Sequence, residues 1–227
     1  MSVKTAVYAV RVTPLLTDEV LFEKALAAVS PERREKAVRY RKCADAALSL
    51  AAEILLRYAF ATAAEPFPAA FEKTAQGKPF APDSPLHFNL SHSGEWAVCA
   101  VSDADIGCDV EKIDPVHVDV AKRFFTAAEN VQLDEAENET ERTRRFFRLW
   151  TLKESFQKVT GQGMSLPLSS FSVTLGDTVT VEPPAAVTFA EYTALSGYAC
   201  AVCARGGAIP PLVTVDVQDL LQNEVRG

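Results

Sequence analysis

The chain has 227 residues, 48% of them hydrophobic and 23% charged, with a formal net charge of −7. That length can bury most of its apolar surface in one large domain or two small ones. The acidic balance argues against a general nucleic-acid binder, which wants a basic surface, and no apolar run approaches the roughly 20 residues that span a bilayer.

Taken in chain order, alternation over residues 1–11 predicts a strand. It is not a secretory signal, because Lys4 and Arg11 bracket too short an apolar stretch. Ser30-Pro31-Glu32 supplies an N-cap hydroxyl, a proline at the first helical position and an acid in the first turn. The basic helix that follows breaks near Lys42-Cys43-Ala44-Asp45. A second helix is predicted over 46–63, where Leu48, Ala52, Leu55, Leu56 and Ala59 recur at helical spacing, and Pro66 and Pro68 end it. Gln76-Gly77-Lys78-Pro79 reads as a turn, and a strand begins over 86–90. Residues 96–101 and 106–111 are expected to form a hairpin through the polar loop 102–105.

Beyond it, 118–125 is expected to be helical, and 126–140 a loop with a short helix. A strong helix over 142–159 ends at Gly161-Gln-Gly163. Strands are expected over 171–175, 187–192 and 198–203, with one more strand or helix in the tail to 227. Two stretches echo each other. Glu53 and Arg57, like Glu154 and Lys158, are acid–base pairs at helical spacing, and each is followed 43 or 44 residues later by an aromatic opening a small-residue strand, at Trp96 and Tyr198. Chance is a rival explanation, since such pairs are common. If it is real, the chain is two similar α/β halves, 1–105 and 106–227, with a ligand site where they meet.

Five cysteines, at 43, 99, 108, 200 and 203, lack framework spacing and suit a reducing compartment, so a cytoplasmic protein is expected. Cys200 and Cys203 sit on a strand, where an offset of three puts the thiols on opposite faces, as small core residues rather than a metal or redox pair. Basic residues crowd at Arg33, Arg34, Lys36, Arg39, Arg41 and Lys42, and again at Arg142, Arg144, Arg145 and Arg148. Each cluster is read as a solvated helix face or as a patch for a small polyanion.

The chemistry-bearing residues are acids. Asp109 and Glu111 share one face of a strand with Cα atoms about 6–7 Å apart. Trp150, Glu154 and Lys158 share one stripe of the long helix. If strand and helix meet, three carboxylates converge beside a cation, a set suited to a hard divalent ion that prefers oxygen ligands. The rival is a pair of solvated strand-edge acids. Asn89-Leu-Ser-His-Ser-Gly94 reads as a polar loop tip, where His92 could be a base, a phosphate donor or a packing residue. Ser91 and Ser93 lack the G-x-S-x-G elbow of a hydrolase nucleophile. Trp150, Phe124, Phe125, Phe146 and Phe147 are read mainly as core.

Five ordered blocks are more specific than any one of these features: Phe88-Asn-Leu-Ser-His-Ser-Gly, Ile106-Gly-Cys-Asp-Val-Glu-Lys-Ile, Arg123-Phe-Phe, Leu149-Trp-Thr-Leu-Lys-Glu-Ser-Phe-Gln-Lys and Gly161-Gln-Gly-Met-Ser-Leu-Pro-Leu. Together they resemble the 4′-phosphopantetheinyl transferases, in order and spacing the monomeric, surfactin-synthetase-type branch. A looser likeness at Ser30-Pro-Glu-Arg-Arg-Glu-Lys36 and Gly77-Lys-Pro79 extends it toward the N-terminus.

The resemblance implies an α/β (α+β) fold of two pseudo-symmetric halves, each a small, mainly antiparallel sheet packed with helices, with the active site between them. It implies transfer of the phosphopantetheine arm of coenzyme A to a serine of an apo acyl or peptidyl carrier protein, releasing adenosine 3′,5′-bisphosphate. Asp109, Glu111 and Glu154 are then ligands of Mg²⁺, with Mn²⁺ an alternative, and Glu129 is a candidate base for the serine. Lys158 would stabilise the phosphate and leaving group. Lys153 occupies the adjacent motif position but lies off the Glu154 stripe. Coenzyme contacts are implied at Arg33, Lys36, Ser49, Lys78, Ser91 and His92. No nucleic acid or membrane partner is expected, and the protein is expected to be a monomer. The rival readings are a non-catalytic module that binds coenzyme A or carrier proteins, and a nucleotide phosphotransferase. The latter should carry a G-x-x-x-x-G-K-[ST] loop, which is absent from the sequence.

Overall fold

The computed structural model describes residues 5–114 and 120–223. Strand β1 (Ala6–Arg11) occupies the described part of the N-terminal alternation; residues 1–4 lie outside it. Its two faces both meet apolar neighbours. Tyr8 and Val10 turn toward a helical core, while Val7 and Ala9 turn toward a second sheet. Helices α1 (Thr13–Thr17) and α2 (Glu19–Ala28) follow, the latter capped by the Asp18 carboxylate, which accepts from the Val20 and Leu21 N–H groups. Helix α3 (Pro31–Ala37) starts as the sequence predicts, with the Ser30 hydroxyl accepting from Arg33 N–H. Helix α4 (Cys43–Thr62) is buried along most of its length and is the spine of the first core.

A two-residue ribbon, β2 (Glu72–Lys73) with β3 (Pro79–Phe80), brackets the turn predicted at 76–79. Strands β4 (His87–Ser93) and β5 (Trp96–Ser102) form an antiparallel hairpin. The strand expected to begin over 86–90 therefore runs on through Ser91, His92 and Ser93, expected at a loop tip. The hairpin expected between β5 and β6 (Ile106–Lys112) does not form. Strand β5 has β1 on one edge and β4 on the other, so it has no free edge to offer β6. Loop 102–105 instead carries the chain into a second sheet.

That second half contains α5 (Ala121–Phe124), α6 (Ala127–Asp134) and the long α7 (Glu139–Thr160), which ends on Gly161 in the left-handed region at φ +69°. Residues 118 and 119 of the expected helix 118–125 lie outside the described residues. A short ribbon of β7 (Ser172–Thr174) and β8 (Thr180–Glu182) precedes β9 (Thr188–Glu191) and β10 (Tyr198–Ala204). The second sheet runs β6-β10-β9, all antiparallel.

The tail supplies both a strand and a helix, β11 (Val213–Val215) and α8 (Val217–Asn223), and both return to the first half. Strand β11 pairs in parallel with β1, completing the sheet β11-β1-β5-β4, and α8 packs on α2 and α4. The chain thus passes from the first sheet to the second between Ser102 and Ile106, and its C-terminal strand and helix return to the first. Residues 224–227 lie outside the described residues.

The echo between the halves has a structural counterpart. Helix α4 packs over β5, the strand opened by Trp96, and α7 packs over β10, the strand opened by Tyr198. Between the sheets, Val98 and Ala100 share a core with Cys108, Val110, Cys200 and Val202. Small side chains let the two sheets approach. Cys203 belongs to the core beneath α7 instead, so the two thiols of β10 face opposite ways, as the offset of three requires. All five cysteines are free. Among the described residues, no helix is long and apolar enough to cross a membrane.

Candidate active site

The site is built on a glycine. A Cβ added at Gly107 would stand 2.2 Å from the carbonyl oxygen of Ser155 and 2.7 Å from the nitrogen of Val159. Without a side chain there, α7 lies directly on β6, which lowers the stripe carrying Glu154 and Lys158 onto Asp109. Lys158 Nζ donates to Asp109 Oδ1 at 2.7 Å and to the Cys108 carbonyl at 3.1 Å.

Strand β4 approaches the other side of β6 without a backbone ladder, through its side chains. Asn89 Oδ1, Ser91 Oγ and Ser93 Oγ accept from the N–H groups of Cys108, Val110 and Lys112 at 2.8, 3.3 and 3.1 Å. The two hydroxyls then donate to the acids, Ser91 to Asp109 Oδ1 and Ser93 to Glu111 Oε2, each at 2.9 Å. Asp109 is 3% exposed, and its second oxygen, Oδ2, is buried with no hydrogen-bond partner among the described residues. Burial, and next the charge of Asp109, push the half-buried Glu154 carboxyl above its ordinary value, with a smaller push from Glu111. Burial opposes the Lys158 charge most, but the charge and hydrogen bond of Asp109, together with Cys108 and Glu154, outweigh it and raise the ammonium pKa. Glu154 therefore senses both strand acids across the seam. Among the described residues, no group of three or more His, Cys, Asp or Glu side chains is drawn tightly enough to hold an ion as they stand.

The residues implied as coenzyme contacts divide in two. Arg33 and Ser49 meet, with Arg33 donating to Ser49 Oγ at 3.2 Å and to Glu53 Oε2 at 3.3 Å. Burial would push the Glu53 carboxyl up, but donors from Ser30 and Arg57 hold it below its ordinary value. Lys36 is exposed, its Nζ 6.0 Å from the ring centre of Tyr40. His92 lies near the end of β4. Desolvation pushes its imidazole pKa down, as do the charges of Lys158 and Lys36, while Asp45 acts the other way. Lys78 is turned inward, donating to the carbonyls of Lys158 at 2.8 Å and Ile106 at 3.1 Å. It pins the last turn of α7 to β6, and burial pushes its pKa down.

One expectation fails. Glu129 is fully buried, and both its oxygens are engaged. Oε1 accepts from Lys153 Nζ at 2.5 Å and Val173 N–H at 2.7 Å, while Oε2 accepts from Thr126 N–H at 2.8 Å as part of a capping box. A base must reach the proton it takes, and Glu129 is sealed inside the second core. Lys153, also fully buried, points away from Glu154 as its helix phase requires, and donates to the Phe171 carbonyl at 2.6 Å.

The second basic cluster is largely a paired surface face. Arg142 pairs with Asp134 and Glu139, Arg145 with Glu141, and Arg148 forms two bonds to Glu191. Trp150 packs among Phe124, Phe125 and Phe146 as core. Sequence reasoning passed over Asn89, Ser93 and Gly107. The alternation Asn-x-Ser-x-Ser was the available signal for the first two, and a glycine inside an apolar strand was the signal for the third.

Comparison with known proteins fits this geometry. Residues 105–203 match the model of the 4′-phosphopantetheinyl transferase superfamily, and residues 17–104 match that of the 4′-phosphopantetheinyl transferase N-terminal region. The chain is 43% identical over 190 residues to a 4′-phosphopantetheinyl transferase of Bacillus subtilis, covering 80% of this chain and 84% of that one. It is 38% identical over 208 residues to 4′-phosphopantetheinyl transferase Sfp of Bacillus subtilis strain 168, covering 88% and 92%. To 4′-phosphopantetheinyl transferase gsp of Aneurinibacillus migulanus it is 35% identical over 210 residues, covering 88% and 86%. The chain belongs to the 4′-phosphopantetheinyl transferase superfamily.

Proposed function

We propose that this chain transfers the 4′-phosphopantetheine arm of coenzyme A to a serine of an apo acyl or peptidyl carrier protein, releasing adenosine 3′,5′-bisphosphate. The observation that carries the reading is the buried, unpartnered Asp109 Oδ2, beside Lys158 and facing a Glu154 whose charge is disfavoured as it stands. An orphaned carboxylate oxygen and a carboxyl with a raised pKa both favour an added cation, and an all-carboxylate donor set suits Mg²⁺ or Mn²⁺. Asp109, Glu111 and Glu154 would hold that ion, which when bound supplies neutralising charge for the coenzyme's pyrophosphate.

The chain's own residues do the rest. The serine oxygen forms a bond to the phosphorus carrying the pantetheine arm, and the bond from that phosphorus to the bridging oxygen of adenosine 3′,5′-bisphosphate breaks. With Glu129 sealed away, Glu154, half-buried on the helix stripe that lies over Asp109, is the acid placed to receive the serine proton. Lys158 balances the charge growing on the phosphate and the leaving group. Arg33, Lys36, Ser49, Ser91 and His92 form the coenzyme side, and Lys78, committed to the carbonyls of Ile106 and Lys158, holds the frame behind it.

All these groups come from one chain, which supports a monomer built from the halves 1–105 and 106–227. Four buried free thiols support work in the reducing cytoplasm. The names of the relatives favour transfer over mere binding. The test incubates the protein with coenzyme A, Mg²⁺ and an apo carrier protein and weighs the carrier. A mass gain equal to the phosphopantetheine arm is expected, abolished by chelator and restored by Mg²⁺. An unchanged mass across carriers from several pathways would contradict it.

A further inference from the structure

We infer that Ser93 is a positioning residue for Glu111, the hydroxyl through which β4 aims a carboxylate of β6; this rests on the metal reading above. Asn89, Ser91 and Ser93 occupy alternate positions of β4 and so share one face. Among the described residues, strand β6 pairs with β10 alone, leaving its other edge without a ladder. On that edge each of the three side chains accepts one β6 N–H group, from Cys108, Val110 and Lys112 in turn.

A serine hydroxyl has one proton to give. Because the Ser93 oxygen faces the Lys112 N–H at 3.1 Å, its proton is left for Glu111 Oε2, 2.9 Å away. The same arrangement recurs one step along at Ser91 and Asp109, where Lys158 also binds the same carboxylate oxygen. Glutamate has one more rotatable bond than aspartate, so anchoring its end removes more freedom. Hydrogen bonds to ligating carboxylates fix their direction, and losing one typically costs about 10–100-fold in metal affinity or activity. Ser93 is the cleaner member to test, since Ser91 is also implied in holding the coenzyme.

The test titrates Mn²⁺ calorimetrically into the wild type, Ser93→Ala and Ser93→Thr with coenzyme A present, and follows the transfer rate against Mg²⁺ concentration. Ser93→Ala should bind Mn²⁺ at least about tenfold more weakly and need correspondingly more Mg²⁺ for half-maximal rate. At saturating Mg²⁺ its kcat should return to within about twofold of the wild type, as expected when only the ion's placement is lost. Ser93→Thr, which keeps the hydroxyl, should restore Mn²⁺ affinity. If the alanine variant does not fold, Ser93→Cys, close in size with a weaker donor, carries the same comparison. Wild-type Mn²⁺ affinity in the alanine or cysteine variant, or a rate deficit that saturating Mg²⁺ does not repair, would overturn the positioning role. No Mn²⁺ binding by the wild type would overturn the metal reading and this inference with it.

Discussion

Lys153 and Glu129 form an ion pair shut away from solvent, Nζ to Oε1 at 2.5 Å, with both side chains fully buried beneath helix α7. Each charge has further partners, the Phe171 carbonyl for Lys153 and the N–H groups of Thr126 and Val173 for Glu129. Such a pair costs more to break than to replace, because removing one member strands the other.

Glu129→Ala should therefore lower unfolding stability by about 3–5 kcal/mol. The double variant Glu129→Ala/Lys153→Met should recover part of that loss. Transfer per folded molecule, and the pH at which the rate is half-maximal, should stay near the wild type in the double variant. A displaced pH profile would return Glu129 to the chemistry.

Gly107 makes a second prediction. Alanine there meets backbone atoms of Ser155 and Val159 rather than a side chain that can swing aside. Gly107→Ala should cost about 1–3 kcal/mol in urea denaturation, the usual range for overpacking. Because α7 must move, the rate should fall by more than the change in folded fraction explains. A wild-type denaturation midpoint together with a wild-type rate would contradict the close approach of strand and helix.

The acid limb of stability should contain Glu53. Its folded pKa lies below the ordinary value of 4.5. The stabilisation it contributes is thus present above the unfolded pKa and lost as pH falls through the folded one. Glu53→Gln should lower stability at neutral pH and flatten its decline between about pH 5 and pH 3. Parallel stability–pH curves for variant and wild type would contradict this.

Lys36 is exposed and borders the surroundings of His92. Lys36→Ala should raise the KM for coenzyme A several-fold with little change in kcat or melting temperature. The effect should shrink as salt is added, as a screened contact to phosphate does. An unchanged KM at low salt would remove Lys36 from the coenzyme side.

Much of this was legible in the residues, for reasons of period and capping. Ser30-Pro31 announced α3, and Gly161 closed α7. Helix phase separated Lys153 from the Glu154 stripe, and strand parity sent Cys200 and Cys203 to opposite faces. The failures share a cause. The β5–β6 hairpin looked right locally, but β1 and β4, one of them some 90 residues away, had already claimed both edges of β5. Ser91 and Ser93, beyond the strand expected over 86–90, looked like a loop because they are polar. Their true partners are the N–H groups of β6, which no local pattern reveals. Glu129 carries the same letter as a catalytic acid, and only the fold discloses that a buried lysine faces it.

The central claim, that Asp109, Glu111 and Glu154 grip one divalent ion, is tested most directly by counting bound Mn²⁺. Electron paramagnetic resonance of the free ion, with coenzyme A present, would be compared for the wild type, Asp109→Ala and Glu154→Ala. The expected result is a single tightly held ion in the wild type and at least about tenfold weaker binding in each variant, with both variants still folded. Equal Mn²⁺ binding by all three proteins would contradict it.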